Sequence, residues 1–132
     1  MKKILIVGGT GFIGYHLAKK CLKKNWQVTS ISTKFPPKQR KLNKVKYLIC
    51  DIAKKKKLSL LLKNKTFDYV ANLGGYVDHS KKIKTFNSHF HGCKNLVDIF
   101  LKKKIKKFFQ MGSSVEYGFS KSPQVETIKS HS

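Results

Sequence analysis

Apolar residues come along this chain in short blocks whose period switches between about two and about 3.6. Lys3–Val7 is a β-branched apolar run that stops at Gly8 and Gly9, the pattern of a buried strand. From Phe12 to Lys24, Ile13, Leu17, Cys21 and Leu22 recur at helical spacing with lysines opposite, which predicts an amphipathic helix. Gln27–Ser32 alternates and predicts a second strand. Pro36 and Pro37 then open a polar loop in which no helix is expected. Val45–Cys50 reads as a third strand and Lys54–Lys63 as a helix with Leu58, Leu61 and Leu62 inward. Asp68–Leu73 is a fourth strand, ended by Gly74 and Gly75. A long helix over roughly Lys84–Lys103 is expected to turn Phe86, Phe90, Leu96, Val97 and Phe100 inward, before a fifth strand at Lys107–Met111. Gly118–Ser132 is polar and irregular.

Each strand is followed by a helix or a long loop, and parallel strands need such crossovers. The alternation therefore predicts an α/β domain, a doubly wound parallel sheet with helices on both faces, over residues 1–132. No internal repeat or linker interrupts it.

Between the first strand and the first helix stands Gly8-Gly9-Thr10-Gly11-Phe12-Ile13-Gly14. The spacing satisfies G-x-G-x-x-G at 9, 11 and 14 and G-x-x-G-x-x-G at 8, 11 and 14. Glycine permits a tight turn and the close approach of a pyrophosphate to the backbone, and at Gly14 it lets the helix pack on the strand. The unpaired N–H groups at the helix start, Phe12 and Ile13 among them, then face the phosphates. In this strand–turn–helix setting the glycines predict a Rossmann-like dinucleotide site.

The stretch from Ile6 to Leu17 resembles the opening motif of the extended short-chain dehydrogenase/reductases, the NAD-dependent epimerase/dehydratase family, with Val7 where a threonine often stands. Further segments resemble the family in its own order. They are Cys50-Asp51-Ile52 after the third strand, Asn72-Leu73-Gly74-Gly75 after the fourth, and Gly92 to Val97 in the long helix. Phe109 to Gly118 follows, and then Pro123 and Glu126. The resemblance implies the sheet order 3-2-1-4-5 and NAD(P) as cofactor, held at Gly8, Gly11, Phe12, Ile13, Gly14, Asp51, Ile52, Leu73, Gly74 and Gly75. It implies Ser114 as the catalytic serine, hydrogen-bonding the hydroxyl or carbonyl of a nucleotide-linked sugar. Epimerase, dehydratase or 4-keto reductase chemistry is the implied activity, in a cytoplasmic protein that forms a homodimer when complete.

The departures are equally specific. An NAD-preferring site usually places an acid on the ribose about 20 residues beyond the glycines. Here no acidic residue occurs before Asp51, and Lys34, with Lys38 or Arg40 nearby, could meet a 2′-phosphate instead, which favours NADP. His89 replaces the family's asparagine three residues before the helix glycine. The family's Tyr-x-x-x-Lys, which sets both side chains on one helical face so that lysine lowers the tyrosine pKa, has two literal matches. Tyr15–Lys19 lies in the first helix. Tyr117–Lys121 belongs to the serine motif and is followed by Pro123, so neither is expected to serve. The expectation is a dinucleotide-binding portion cut off after about five strands, before its catalytic pair and substrate half, and silent by itself. A non-catalytic NAD(P)-binding or interaction module is the alternative.

Composition adjusts this picture little. With 40% hydrophobic residues the chain can form a core. A formal net charge of +23 could attract a polyanion, but Arg40 is the only arginine among 29 basic residues. Base reading favours arginine's planar fork, and the lysines lie in scattered clusters, so a solvated surface without specific nucleic-acid binding is expected. Cys21, Cys50 and Cys93 have no metal-type spacing, and His79, His89 and His91 with Cys93 match no closed zinc set, so free thiols and no metal are expected. No apolar run reaches membrane-spanning length. The lysines and short apolar run at the start are too brief for an export signal.

Overall fold

The computed structural model describes residues 1–73 and 82–111, the latter without the side chains of 82–89. Five parallel strands form one sheet: β1 (Lys3–Val7), β2 (Gln27–Ser32), β3 (Lys46–Ile49), β4 (Tyr69–Asn72) and β5 (Lys107–Gln110), in the order β3-β2-β1-β4-β5. Three α-helices connect them: α1 (Phe12–Lys23), α2 (Lys55–Leu62) and α3 (Lys82–Leu101). The proline loop after β2 carries only a 3-10 turn at Lys38–Arg40, in keeping with its missing helical pattern.

Alternation along β1 divides the core. Leu5 and Val7 join Ile31, Leu58, Leu62, Val70, Leu96 and Phe100 beneath α2 and α3. Ile4 and Ile6 join Ala18, Cys21, Val28 and Ala71 beneath α1. Both faces of the central strand are thereby covered, as a parallel sheet requires.

Helix ends follow local rules. Asn25 adopts φ 62 after α1, Trp26 N donates to Cys21 O at 3.0 Å and Asn25 N to Leu22 O at 3.0 Å, a Schellman closure with asparagine in the usual glycine place. The C-terminal end of α2 is held from outside: Lys103 Nζ donates to Leu62 O at 2.9 Å and to Lys65 O, just beyond the helix, at 2.8 Å.

Three inward assignments are corrected. Ile13 is exposed because α1 turns Gly14, Ala18 and Cys21 to the sheet, one step round the helix from the expected stripe. Phe90 and Val97 are exposed because α3 buries Leu96 and Phe100 together with the polar Asn95. Asn95 can be buried because its Nδ2 donates to Ile52 O at 2.8 Å. Phe86 falls among the side chains outside the described residues.

Candidate dinucleotide site

The site begins where β1 ends. Gly8 has φ 87, a left-handed conformation that favours glycine, and its N–H donates to Ile31 O at 2.7 Å, fixing the turn to β2. Gly11 N donates to Gly8 O at 3.2 Å, and the first helical bond of α1 runs from Tyr15 N to Gly11 O at 2.9 Å. The preceding amides, Phe12 and Ile13 among them, open the helix without a side-chain cap and with no acid in the first turn, whereas Lys20 and Lys23 occupy the last. The positive end of the helix dipole therefore meets no acid from the helix's own first turn.

The glycines differ in what forbids a side chain. A Cβ at Gly14 would stand 2.5 Å from both Gly8 O and Gly9 Cα, and one at Gly9 would collide with the Ser30 hydroxyl. At Gly11 the nearest atom is Gly8 O at 3.5 Å, an ordinary contact, and φ is −76. Folding demands glycine at 8, 9 and 14 but not at 11.

Cys50 N donates to Ser32 O at 2.9 Å, so the loops after β2 and β3 leave the sheet side by side. Ser32 Oγ is buried with no hydrogen-bond partner among the described residues, and Lys34 is exposed two residues on. Asp51 Oδ1 accepts from Ala53 N at 2.9 Å, and Lys54 N donates to Asp51 O, so this carboxylate also shapes the turn into α2. Ile52 is half-buried against Gly92, where an added Cβ would lie 2.6 Å from its Cδ1.

On the other side of β1, Leu73 N donates to Val7 O at 2.8 Å. Beneath it Asn72, fully buried, donates through Nδ2 to Gln110 Oε1 at 2.7 Å and to Cys93 Sγ at 3.3 Å. Cys93 Sγ donates in turn to Gln110 Oε1 at 3.3 Å, and Met111 N donates to Asn72 O at 3.0 Å. This network joins the ends of β4 and β5 to α3. Burial raises the Cys93 thiol, partly offset by the bond from Asn72, so it remains a donor.

The chain matches the model of the NAD dependent epimerase/dehydratase family over residues 4–132. It belongs to that family. It is 32% identical over 127 residues to a UDP-N-acetyl-alpha-D-glucosaminuronate decarboxylase of Bacillus cytotoxicus, an alignment covering 89% of this chain and 38% of the relative. Solved structures share the fold. A UDP-glucose 4-epimerase of Thermotoga maritima with UDP-glucose superposes with TM-score 0.85 at 20% identity, over 98% of this chain and 44% of that one. The UDP-glucose 4-epimerase of Bifidobacterium longum in complex with NAD+ and UDP gives 0.82 at 21% identity, over 98% and 42%. The chain thus spans less than half the length of these relatives.

Within this family fold, Gly8, Gly11, Phe12, Ile13, Gly14, Lys34, Asp51, Ile52 and Leu73 all come to the carboxyl edge of the sheet. Gly74, Gly75, Ser114, Tyr117, Lys121 and His79 lie outside the described residues, as does the side chain of His89. Sequence reading missed the Asn72–Gln110–Cys93 network and the Asn95 tie to Ile52. Three amides within the predicted strands and helix, Asn72, Gln110 and Asn95, were the available signal. Among the described residues no group of His, Cys, Asp or Glu could hold a metal, and no helix is long and apolar enough to cross a membrane.

Proposed function

We propose that this chain is the dinucleotide-holding portion of a nucleotide-sugar epimerase, dehydratase or reductase, with NAD(P) lying across the glycine turn. The observation that carries the reading is Gly11. The fold would meet a side chain there with no more than an ordinary contact, 3.5 Å to Gly8 O, so its glycine is explained by a ligand that must approach the backbone. Gly8 shapes the turn, Gly14 brings α1 onto it, and the amides of Phe12 and Ile13 offer N–H donors to the pyrophosphate.

The Ser32 hydroxyl, without a partner among the described residues, fits a group bound at the end of β2, and we assign Asp51 and Ile52 to the adenine. The family resemblance assigns Leu73, Gly74 and Gly75 to the other half of the dinucleotide. When bound, the nicotinamide supplies hydride transfer to and from a sugar carbon. Ser114 holds the sugar hydroxyl or carbonyl by hydrogen bond. Lys34, in a segment without an acid, favours NADP through its 2′-phosphate.

Isothermal titration of the chain with NAD+ and NADP+, beside Gly11→Val, tests the reading. Gly11→Val is expected to abolish binding, since its branched side chain fills the approach path. Unchanged binding by that variant refutes it.

A further inference from the structure

Resting on the reading of the glycine turn as a dinucleotide site, we propose that Phe35 is the platform on which the adenine ring stacks. Phe35 is 69% exposed only three residues beyond β2. That exposure does not come from a free loop. Pro36 and Pro37 follow it and are half-buried, Pro37 adopts φ −61 and ψ 155, and Arg40 N donates to Pro37 O at 2.9 Å. Proline fixes its own φ and restricts the residue before it, so a locally stiffened segment presents this ring to solvent.

Its place in the fold says what the ring would meet. Gly8 N bonds to Ile31 O on one side of β2, and Cys50 N bonds to Ser32 O on the other. The residues after β2 therefore rise between the glycine turn and the Asp51–Ile52 turn. A dinucleotide whose phosphates lie on the glycine turn extends its adenosine end over this part of the sheet edge. The other side chains of the loop, Lys34, Lys38 and Arg40, suit phosphate. Phe35 alone among residues 33–40 offers an aromatic face, and stacking on such a face tolerates any purine. Because the ring is exposed, its removal leaves the core untouched, which separates binding from folding.

The test compares the chain with Phe35→Ala and Phe35→Trp, titrated with NAD+ and with 5′-AMP, and follows the adenine H2 and H8 protons by NMR. Phe35→Ala is expected to weaken both ligands by about tenfold, with the melting temperature unchanged. The upfield ring-current shift of H2 and H8 seen with the parent chain should vanish, and Phe35→Trp should retain both affinity and shift. Equal affinities for the parent chain and Phe35→Ala, or no upfield shift with the parent chain, overturns the platform while leaving the glycine-turn reading standing. A parent chain that binds neither NAD+ nor 5′-AMP removes both.

Discussion

The carbonyl oxygen of Gly8 lies where a side chain on Gly14 would begin, 2.5 Å from an ideal Cβ there. Both partners are backbone, since Gly9 Cα is equally close, so relief requires moving α1 off the turn. We predict that Gly14→Ala destabilises the fold by about 1–3 kcal/mol, the usual cost of overpacking. Gly11→Ala, meeting only an ordinary contact at 3.5 Å, should stay within about 0.5 kcal/mol of the parent. Urea unfolding of both variants checks this, and equal loss in the two would refute the distinction.

Three thiols bear on alkaline stability. Burial raises Cys21, Cys50 and Cys93 above the ordinary 9.0, with nearby Lys24 opposing at Cys21 and Lys57 at Cys50. Thiols raised in the folded state favour the protonated form there. Their contribution is full below the unfolded value and is lost as pH rises through the folded ones. Stability should therefore fall as pH climbs above about 9, and less steeply in Cys50→Ala than in the parent. Parallel slopes for the two proteins in urea unfolding between about pH 8 and about pH 10 would exclude the thiol.

Much of this was legible in the sequence because strand period, glycine turns and crossover lengths all agreed on one topology. Helix faces were less legible. Apolar side chains at Ile13 in α1 and Val97 in α3 point to inward positions, yet α1 turns Gly14 to the sheet for lack of a side chain and α3 buries Asn95 for a hydrogen bond to Ile52. Neither reason is visible to hydrophobic periodicity. Lys103 shows the same limit: it reads as one more surface lysine and instead closes the end of α2.

Cofactor choice should follow the end of β2. Ser32 stands there without a carboxylate, its hydroxyl lacking a partner among the described residues, and Lys34 is exposed beyond it. We predict tighter binding of NADP+ than of NAD+, and that Lys34→Ala narrows the gap by about three- to tenfold by removing one charge-assisted hydrogen bond. Lys34→Glu should reverse the preference. Equal affinities for the two dinucleotides in the parent chain, measured at one salt concentration, would contradict this.

The 132-residue chain assayed alone should turn over no UDP-sugar and should associate as salt rises. Among the described residues β5 borders the sheet, and Phe109 on it is 57% exposed, while Phe108 is half-buried. On α3, Phe90, Val97 and Leu101 are also exposed, the last at 78%. An unpaired strand border and apolar surface invite association, and a net charge of +23 opposes it by repulsion between copies. Salt removes the opposition, because the screening length falls from about 10 Å at about 0.1 M to about 3 Å at about 1 M. Light scattering across that range should therefore show growing assemblies, and Phe109→Lys should delay them. The catalytic half of the prediction rests on sequence: the Tyr-x-x-x-Lys match at Tyr117–Lys121 falls within the serine motif, outside the described residues. A chain that stays monomeric in high salt and epimerises or decarboxylates a UDP-sugar would overturn both halves. Loss of that activity in Tyr117→Phe would then identify Tyr117 as the proton-transfer residue.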